Sequence, residues 1–246
     1  MRVIIPAAGQ GNRLRPHTAD RPKCLLPVGG IPIIERLLGQ LAALGADEVV
    51  CVTGHAAGRL TCHVRALRNR PPVRFVPNPD YARSDNIVSL MLTRRWWHDG
   101  IVIVDSDVLI STEALERLMA SPHDVMAVDV TRPIAAIDMA VELRNGHVWH
   151  LDKNLPPGRV CGEFFGVSRW SPEGARLLGE VAARMIADGV RDTWYPYAIR
   201  ELAKQSPIKP LYVRGEDWCE IDSAQDLAAA DARCPAATGW AAYPRR

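Results

Sequence analysis

Residues 1–14 read MRVIIPAAGQGNRL, a short apolar run that passes directly into a loop with two glycines. The run Val3–Pro6 is long enough for a buried strand, and the small residues behind it are typical of a turn. Such residues let backbone amides approach a chain of phosphates closely, and Arg13 and Lys23 add positive charge. This stretch therefore predicts a β-strand followed by a phosphate-binding loop.

Other readings of the loop differ in the residues that they require. A dinucleotide-binding turn has the pattern G-x-G-x-x-G, but Leu14 occupies the position of the third glycine. A P-loop requires Gly-Lys-Ser or Gly-Lys-Thr, which this segment lacks. A plain turn with solvated cations is the remaining alternative, and the two glycines alone favour that plain turn over a nucleotide site.

The rest of the chain alternates apolar runs with amphipathic segments. Strands are predicted at Val3–Pro6, Val49–Thr53, Val73–Val76, Ile101–Val104, Val125–Val130, Ala140–Leu143, His147–Leu151, Gly162–Val167, Ile208–Val213 and Trp218–Ile221. Helices are predicted at Ile33–Leu44, Arg59–Leu67, Glu113–Met119, Pro172–Ala187, Trp194–Lys204 and after Ser223. The alternation predicts an α/β fold with a mainly parallel sheet, and Asn145-Gly146 predicts a hairpin in an antiparallel section that follows.

The 246 residues are 48% hydrophobic and 24% charged, with a net charge of +2, which suits one compact domain. We expect the domain to cover residues 1–234 and residues 235–246 to form a flexible tail. No basic run indicates nucleic acid as a partner, and no apolar stretch of about 18 residues indicates a membrane span. The N-terminus lacks the features of a signal peptide, so we expect a cytoplasmic protein, and a homodimer if it associates.

The stretch Gly9–Val28 reads G-x-G-x-R-L-x-P-x-T-x-x-x-P-K-x-L-x-P-V. Here the chain resembles the sugar-phosphate nucleotidyltransferase superfamily. The resemblance implies a Rossmann-like three-layer sandwich with a mixed, mainly parallel central sheet. It also implies that Arg13 and Lys23 hold the phosphates and the leaving pyrophosphate. The predicted contacts to base and ribose are Ala7, Ala8, Gly9, Gly11 and Asn12.

Two acidic segments that are distant in the sequence suit one divalent cation. Asp105 and Asp107 follow the apolar strand Ile101–Val104, at the strand end where ligands bind in parallel sheets. Mg²⁺ prefers hard oxygen ligands, and a second carboxylate is available in the Glu-Ile-Asp segment that ends at Asp222. The resemblance implies Asp107 and Asp222 as the Mg²⁺ ligands, with Asp105 supporting the nucleotide site. The alternative for Asp222 is a helix N-cap.

No pair of histidines suggests a catalytic dyad, and the expected chemistry does not need one. A phosphate or phosphonate oxygen is already anionic near neutral pH, so alignment and cations that neutralise the leaving pyrophosphate are sufficient. Lys153 matches a family lysine that contacts phosphate. The predicted catalytic residues are therefore Lys23, Arg13 and Lys153, and a solvated surface side chain is the alternative for Lys153.

Residues 78–90 read NPDYARSDNIVSL and resemble a segment of phosphocholine cytidylyltransferase-like enzymes. The resemblance places Asn78, Ser84 and Asn86 in the nucleotide site. Asp85 departs from the pattern, because the first of two paired asparagines commonly stands at that position. The alternative for this segment is the cap and first turn of a helix.

Two later segments resemble the acceptor side of the same enzymes. Residues 162–168 read GEFFGVS and residues 218–227 read WCEIDSAQDL, which implies acceptor contacts from Glu163 and Glu220. Trp194, Tyr195 and Trp218 lie near carboxylates in the sequence, and aromatic faces combined with carboxylates bind ammonium groups well. Packing in the core is the alternative for these aromatic residues.

The residues and the resemblance together predict a Mg²⁺-dependent cytidylyltransferase. It would transfer CMP from CTP to a small acceptor, namely phosphocholine, 2-aminoethylphosphonate or a related alkylphosphonate, and release pyrophosphate. One alternative is a sugar-1-phosphate nucleotidyltransferase that uses UTP, dTTP or GTP. The other is a catalytically silent nucleotide sensor, against which the combination of Arg13, Lys23, Asp107 and Asp222 argues.

Overall fold

The structure is a computed structural model that describes residues 1–234. Its strands are β1 (Arg2–Ala7), β2 (Pro27–Val28), β3 (Ile31–Pro32), β4 (Glu48–Thr53), β5 (Val73–Pro77), β6 (Ile101–Val104), β7 (Val108–Ile110), β8 (Val125–Asp129), β9 (Ala140–Arg144), β10 (His147–Asp152), β11 (Gly162–Trp170), β12 (Lys209–Val213) and β13 (Trp218–Glu220). Its α-helices are α1 (Ile33–Ala43), α2 (Ala57–Ala66), α3 (Asn86–Met91), α4 (Thr112–Met119), α5 (Pro172–Ala187), α6 (Pro196–Ala203) and α7 (Ala224–Arg233). The predicted flexible tail, residues 235–246, lies outside the described residues.

The main sheet has the strand order β10-β9-β11-β6-β1-β4-β5, with β8 paired to β11 and β12 paired to β8. Strands β6, β1, β4 and β5 run parallel to one another. Strand β11 is antiparallel to β6, β8 and β9, and β9 forms an antiparallel hairpin with β10. The predicted parallel region with an antiparallel section after it is confirmed.

Alternate residues of the central strands pack into opposite cores. Val3 and Ile5 of β1 join the core that contains side chains of α1, α2 and α4. Ile4 between them joins the core formed with α3, α5 and α6. A parallel strand that is buried on both faces reads as a continuous apolar run, which is the pattern that predicted β1 and β6. The result is the expected three-layer sandwich, with helices on both faces of one sheet.

Several local predictions are confirmed, and a few elements begin or end elsewhere. Asn145 and Gly146 both have positive φ angles, as the predicted hairpin turn requires. Helix α7 follows Ser223 as predicted, and Ser223 and Asp226 form a capping box at its start. Helix α6 begins at Pro196 rather than at Trp194. Among the helices within residues 1–234, none combines the length and hydrophobicity needed to cross a bilayer.

One strand pairing that the sequence did not predict shapes the site. Strand β7 pairs antiparallel with β13, and Glu220 is the register partner of Val108. The backbone N–H of Ile221 also donates to the carbonyl oxygen of Asp107 at 3.0 Å. This small sheet brings the acidic segment near the end of the described chain against the acidic turn that follows β6.

Candidate active site

A cavity of about 270 Å³ opens near the carboxyl ends of β1 and β6. Its lining includes the predicted residues Ala7, Ala8, Gly9, Gly11, Lys23, Ser84, Asn86, Asp105, Asp107, Lys153, Trp194 and Glu220. Within residues 1–234, the predicted site residues that do not line it are Asn12, Arg13, Asn78, Glu163, Tyr195, Trp218 and Asp222. The parallel strands therefore gather most of the predicted nucleotide side, whereas several predicted acceptor residues lie behind the cavity wall.

Lys23 connects the two acidic segments. Its ammonium donates to Asp107 Oδ2 at 2.6 Å and also to Asp222 Oδ1. Asp222 pairs in addition with Arg13, whose guanidinium lies 2.7 Å from Asp222 Oδ2 and is 71% exposed. The structure thus joins Arg13, Lys23, Asp107 and Asp222 in one lysine–carboxylate network at the edge of the cavity.

The electrostatics of this network keep Lys23 and Asp222 charged. Burial alone would lower the pKa of Lys23, but the Asp107 and Asp222 carboxylates outweigh burial, and the pKa of Lys23 is raised. Burial works to raise the pKa of Asp222, yet Lys23 and Arg13 hold that pKa below its usual range. A lysine in this setting remains an ammonium at neutral pH.

Glu220, which the resemblance predicts as an acceptor contact, lines the cavity and forms a carboxylate group with Asp107 and Asp222. Asp107, Glu220 and Asp222 each offer one oxygen atom, and these atoms lie within 4.8 Å of one another. Burial, followed by the charges of Asp107 and Asp222, raises the pKa of Glu220 well above its usual range. The spacing of two residues between Glu220 and Asp222 was the signal in the sequence, but the pairing of β7 with β13 was needed to interpret it.

The carboxylate group fits a hard divalent cation. Carboxylate oxygens are the ligands that Mg²⁺ prefers. Asp107 Oδ1 is buried and has no hydrogen-bond partner within the described part of the chain. A buried carboxylate oxygen without a donor is costly, and a cation would compensate that cost. Asp107, Glu220 and Asp222 are therefore able to hold such an ion.

Asp105 lines the cavity two residues before Asp107, and a glycine of β11 makes room for its side chain. Gly166 has φ of +83°, and a Cβ atom there would lie 2.6 Å from Asp105 Cγ. The backbone N–H of Asp105 donates to the carbonyl oxygen of Gly166 at 3.0 Å. Burial and the charge of Asp107 raise the pKa of Asp105 well above its usual range. The importance of Gly166 for placing Asp105 was not foreseen from the sequence.

The glycine loop is fixed by contacts from neighbouring loops. Gly11 has φ of +61°, and its carbonyl oxygen accepts a hydrogen bond from Thr18 Oγ1 at 2.8 Å. A Cβ atom on Gly54 would lie 2.6 Å from the carbonyl oxygen of Ala8, so only glycine allows this close approach. Asn12 is exposed and does not line the cavity.

The segment after β5 combines cavity-lining residues with residues that support them. Asn78 is only 2% exposed and donates to Ser89 Oγ at 2.9 Å, so its side chain holds the segment rather than facing the cavity. Ser84 and Asn86 do line the cavity. Asn86 Oδ1 accepts a hydrogen bond from the backbone N–H of Tyr195 at 2.8 Å, which ties α3 to the start of α6.

The aromatic cage expected on the acceptor side does not form from the three predicted residues. Tyr195 is fully buried, and burial and the charge of Asp105 raise the pKa of its hydroxyl well above the usual range. Trp218 stacks on Phe165 with 4.1 Å between ring centroids, and its Nε1 donates to Asp129 Oδ2 at 2.9 Å. Both side chains pack in the core, which was the alternative for them, and Trp194 alone of the three lines the cavity.

Glu163 holds a loop instead of lining the cavity. Its side chain accepts from Arg132 Nη1 at 3.0 Å and from the backbone N–H of Asp138 at 2.8 Å. Burial raises the pKa of Glu163 despite these donors. The loop that it fastens places Asp138 at the cavity, where Lys153 Nζ donates to Asp138 Oδ2 at 2.6 Å.

Some lining residues were not among the predicted site residues. Asp138 and Met139 precede β9 and belong to no motif, while Tyr81 and Ser89 lie inside the segment that follows β5. Tyr81 packs against the backbone of Gly54. Their place at the cavity follows from the way these segments fold over the sheet.

The fold and this site are consistent with one known protein family. Residues 3–194 match the MobA-like NTP transferase domain, and the chain belongs to that family. A bifunctional IPC transferase and DIPP synthase of Rubrobacter xylanophilus is 32% identical over 244 residues, which are 98% of this chain and 52% of that protein. The chain thus spans about half the length of that relative.

Two further proteins resemble the chain along most of their own length. A 2-aminoethylphosphonate cytidylyltransferase of Lancefieldella rimae is 32% identical over 238 residues, which are 93% of this chain and 91% of that protein. The solved CTP:phosphocholine cytidylyltransferase of Streptococcus pneumoniae has a TM-score of 0.75 at 21% identity, covering 94% of this chain and 97% of that one. The structural likeness confirms the predicted Rossmann-like nucleotidyltransferase fold.

Proposed function

We propose that this chain is a CTP-dependent cytidylyltransferase that transfers CMP to a small phosphorylated or phosphonylated acceptor and releases pyrophosphate. The observation that carries the proposal is the Lys23 ammonium, which bonds to Asp107 and Asp222 beside a cavity bordered by the glycine loop. Lys23 is largely buried and keeps its positive charge, which suits the negative charge of a triphosphate. The likeness to the L. rimae enzyme over 91% of its length supports CTP as donor and a phosphonate as acceptor.

The reaction needs alignment and neutralisation of charge more than proton transfer. An anionic oxygen of the acceptor would form a bond to the α-phosphorus of CTP while the bond from that phosphorus to pyrophosphate breaks. Lys23 and Arg13 are the cations that we assign to the triphosphate and the departing pyrophosphate. Lys153, which lines the cavity, is the cation that we assign to the acceptor. No general base is required, because the attacking oxygen carries its negative charge already.

We assign Mg²⁺ to the carboxylates of Asp107 and Asp222, with Glu220 as a third ligand. Three hard oxygen donors within 4.8 Å of one another and the unpartnered Asp107 Oδ1 support this assignment. When bound, the ion would supply positive charge for the triphosphate. Asp105, whose side chain packs against Gly166, is assigned to positioning the carboxylate group of Asp107, Glu220 and Asp222.

The decisive experiment measures pyrophosphate release in the presence of Mg²⁺. CTP, UTP, dTTP, ATP and GTP are each combined with phosphocholine, 2-aminoethylphosphonate, 2-hydroxyethylphosphonate, inositol 1-phosphate and glucose 1-phosphate. We expect release with CTP and a small phospho- or phosphono-compound. Release with UTP, dTTP or GTP and glucose 1-phosphate would contradict the proposal and indicate a sugar-1-phosphate nucleotidyltransferase. Tight CTP binding without release from any acceptor would indicate a silent sensor.

A further inference from the structure

A second group of charged residues lines the cavity apart from the lysine–carboxylate network. It consists of Asp85, Asp138 and Lys153. Lys153 Nζ donates to Asp138 Oδ2 at 2.6 Å and lies 3.8 Å from the centroid of the Trp194 ring. One ammonium is therefore shared between a carboxylate and an aromatic face, and two carboxylates face one cation. This part of the cavity has an excess of negative charge.

Asp85 is the carboxylate that lacks a cation in contact with it. Its Oδ1 accepts from the backbone N–H of Asn86 at 2.7 Å and caps α3, and none of the described residues forms an ion pair with it. Burial raises the pKa of Asp85, and Lys153 offsets that rise only in part while Asp192 adds to it. A half-buried carboxylate in this condition is stabilised by any cation that enters the cavity.

An acceptor for this enzyme must already carry a phosphate or phosphonate, and we assign that anion to Lys153. Asp85, which lines the same cavity, repels the anion and is available to the other end of the acceptor when a short chain joins the two ends. A primary ammonium group can donate hydrogen bonds and place its charge beside Asp85. A trimethylammonium group has no N–H to donate and relies on aromatic faces, but Lys153 already covers one face of Trp194, and the same ring is stacked with Tyr197.

We propose that Asp85 makes this enzyme selective for acceptors that carry a primary ammonium group, that is, small aminoalkyl phosphonates or phosphates. The inference rests on the proposed function and names the acceptor class of the same site. A polyol phosphate would use Asp85 differently, because a hydroxyl group hydrogen-bonds to a carboxylate and to an amide oxygen alike. Removing the charge at residue 85 while keeping its shape therefore separates the two classes.

The test is equilibrium binding by calorimetry, in the presence of Mg²⁺ and the non-hydrolysable donor α,β-methylene-CTP. The probes are 2-aminoethylphosphonate, ethylphosphonate, which lacks the amine, phosphocholine and inositol 1-phosphate. The wild-type protein should bind 2-aminoethylphosphonate at least about tenfold more tightly than the other three, as expected for one charge-assisted hydrogen bond. In Asp85→Asn, which retains a helix cap, this advantage should fall to about threefold or less with ethylphosphonate binding unchanged.

Two more variants control for folding and for general electrostatics. Asp85→Ser is also a good helix cap without charge and should lose the same preference. Asp192→Asn removes a nearby charge that does not line the cavity, and it should change the preference by less than about twofold. An unchanged preference in both Asp85 variants, equal wild-type affinity for 2-aminoethylphosphonate and ethylphosphonate, or no binding of any probe would each overturn the inference.

Turnover distinguishes this inference from the function on which it rests. Selective binding of 2-aminoethylphosphonate without pyrophosphate release would refute the cytidylyltransferase proposal and uphold the ammonium selectivity. Pyrophosphate release at equal efficiency from phosphocholine, inositol 1-phosphate and 2-aminoethylphosphonate would uphold the cytidylyltransferase proposal and refute the ammonium selectivity.

Discussion

Replacing Gly166 with alanine tests how the fold positions Asp105. The backbone at Gly166 has φ of +83°, and a new Cβ would lie 2.6 Å from Asp105 Cγ. The strained backbone costs about 1–2 kcal/mol, and displacing a packed side chain adds about 1–3 kcal/mol. We therefore expect Gly166→Ala to lower the free energy of unfolding by roughly 2–5 kcal/mol, which for a protein of this size lowers Tm by roughly 10 °C.

The assay is thermal unfolding, with pyrophosphate release measured on the same samples. Gly158→Ala is the matched control, because nothing lies within 4 Å of a Cβ there and its φ is not positive. That control should change stability by less than about 0.5 kcal/mol. Combining Gly166→Ala with Asp105→Gly, which also removes the Asp105 Cβ that would lie 2.7 Å from the new methyl group, should relieve the steric part, so the two effects should not add. A Tm for Gly166→Ala near that of the wild type, or strict additivity, would refute this account of the contact.

The remaining predictions concern the network and the corrected aromatic residue. Lys23→Ala should reduce turnover by about two orders of magnitude or more, since it removes a preorganised cation, and near-wild-type turnover would contradict the phosphate role. Asp107→Ala and Asp222→Ala should each abolish both activity and the response to Mg²⁺, and a variant that still responds normally would exclude that residue as a ligand. Trp218→Phe should keep the ring but leave Asp129 Oδ2 without its donor, lowering stability by about 1–3 kcal/mol. The KM of this variant for the acceptor should stay unchanged. A several-fold rise in that KM would indicate that Trp218 contacts the acceptor.

The comparison of Trp194, Tyr195 and Trp218 shows where sequence reasoning failed. The residues lie near carboxylates in the sequence, which made a cage for an ammonium group plausible. In the structure, Tyr195 is fully buried and Trp218 is stacked on Phe165, while Trp194 lines the cavity against Lys153. Whether an aromatic side chain packs in the core or faces a cavity depends on the neighbours that long-range folding supplies, and local sequence does not contain them.

The sequence by itself determined the features that depend on nearby residues. The strand that begins the chain, the glycine loop after it, the turn at Asn145-Gly146 and the capping box at Ser223 each follow from backbone preferences over a few positions. The motif Gly9–Val28 also indicated the family, because so many residues in a fixed order and spacing are specific to a family.

Only the tertiary structure decided which distant residues share the site. Glu220 joins Asp107 because β13 pairs with β7, and Asp138 reaches the cavity because Glu163 fastens its loop. Asp85 shares the cavity with Lys153, which lies far along the chain. The physical reason is that charge effects and burial depend on distance in space, whereas sequence patterns record only the order of residues along the chain.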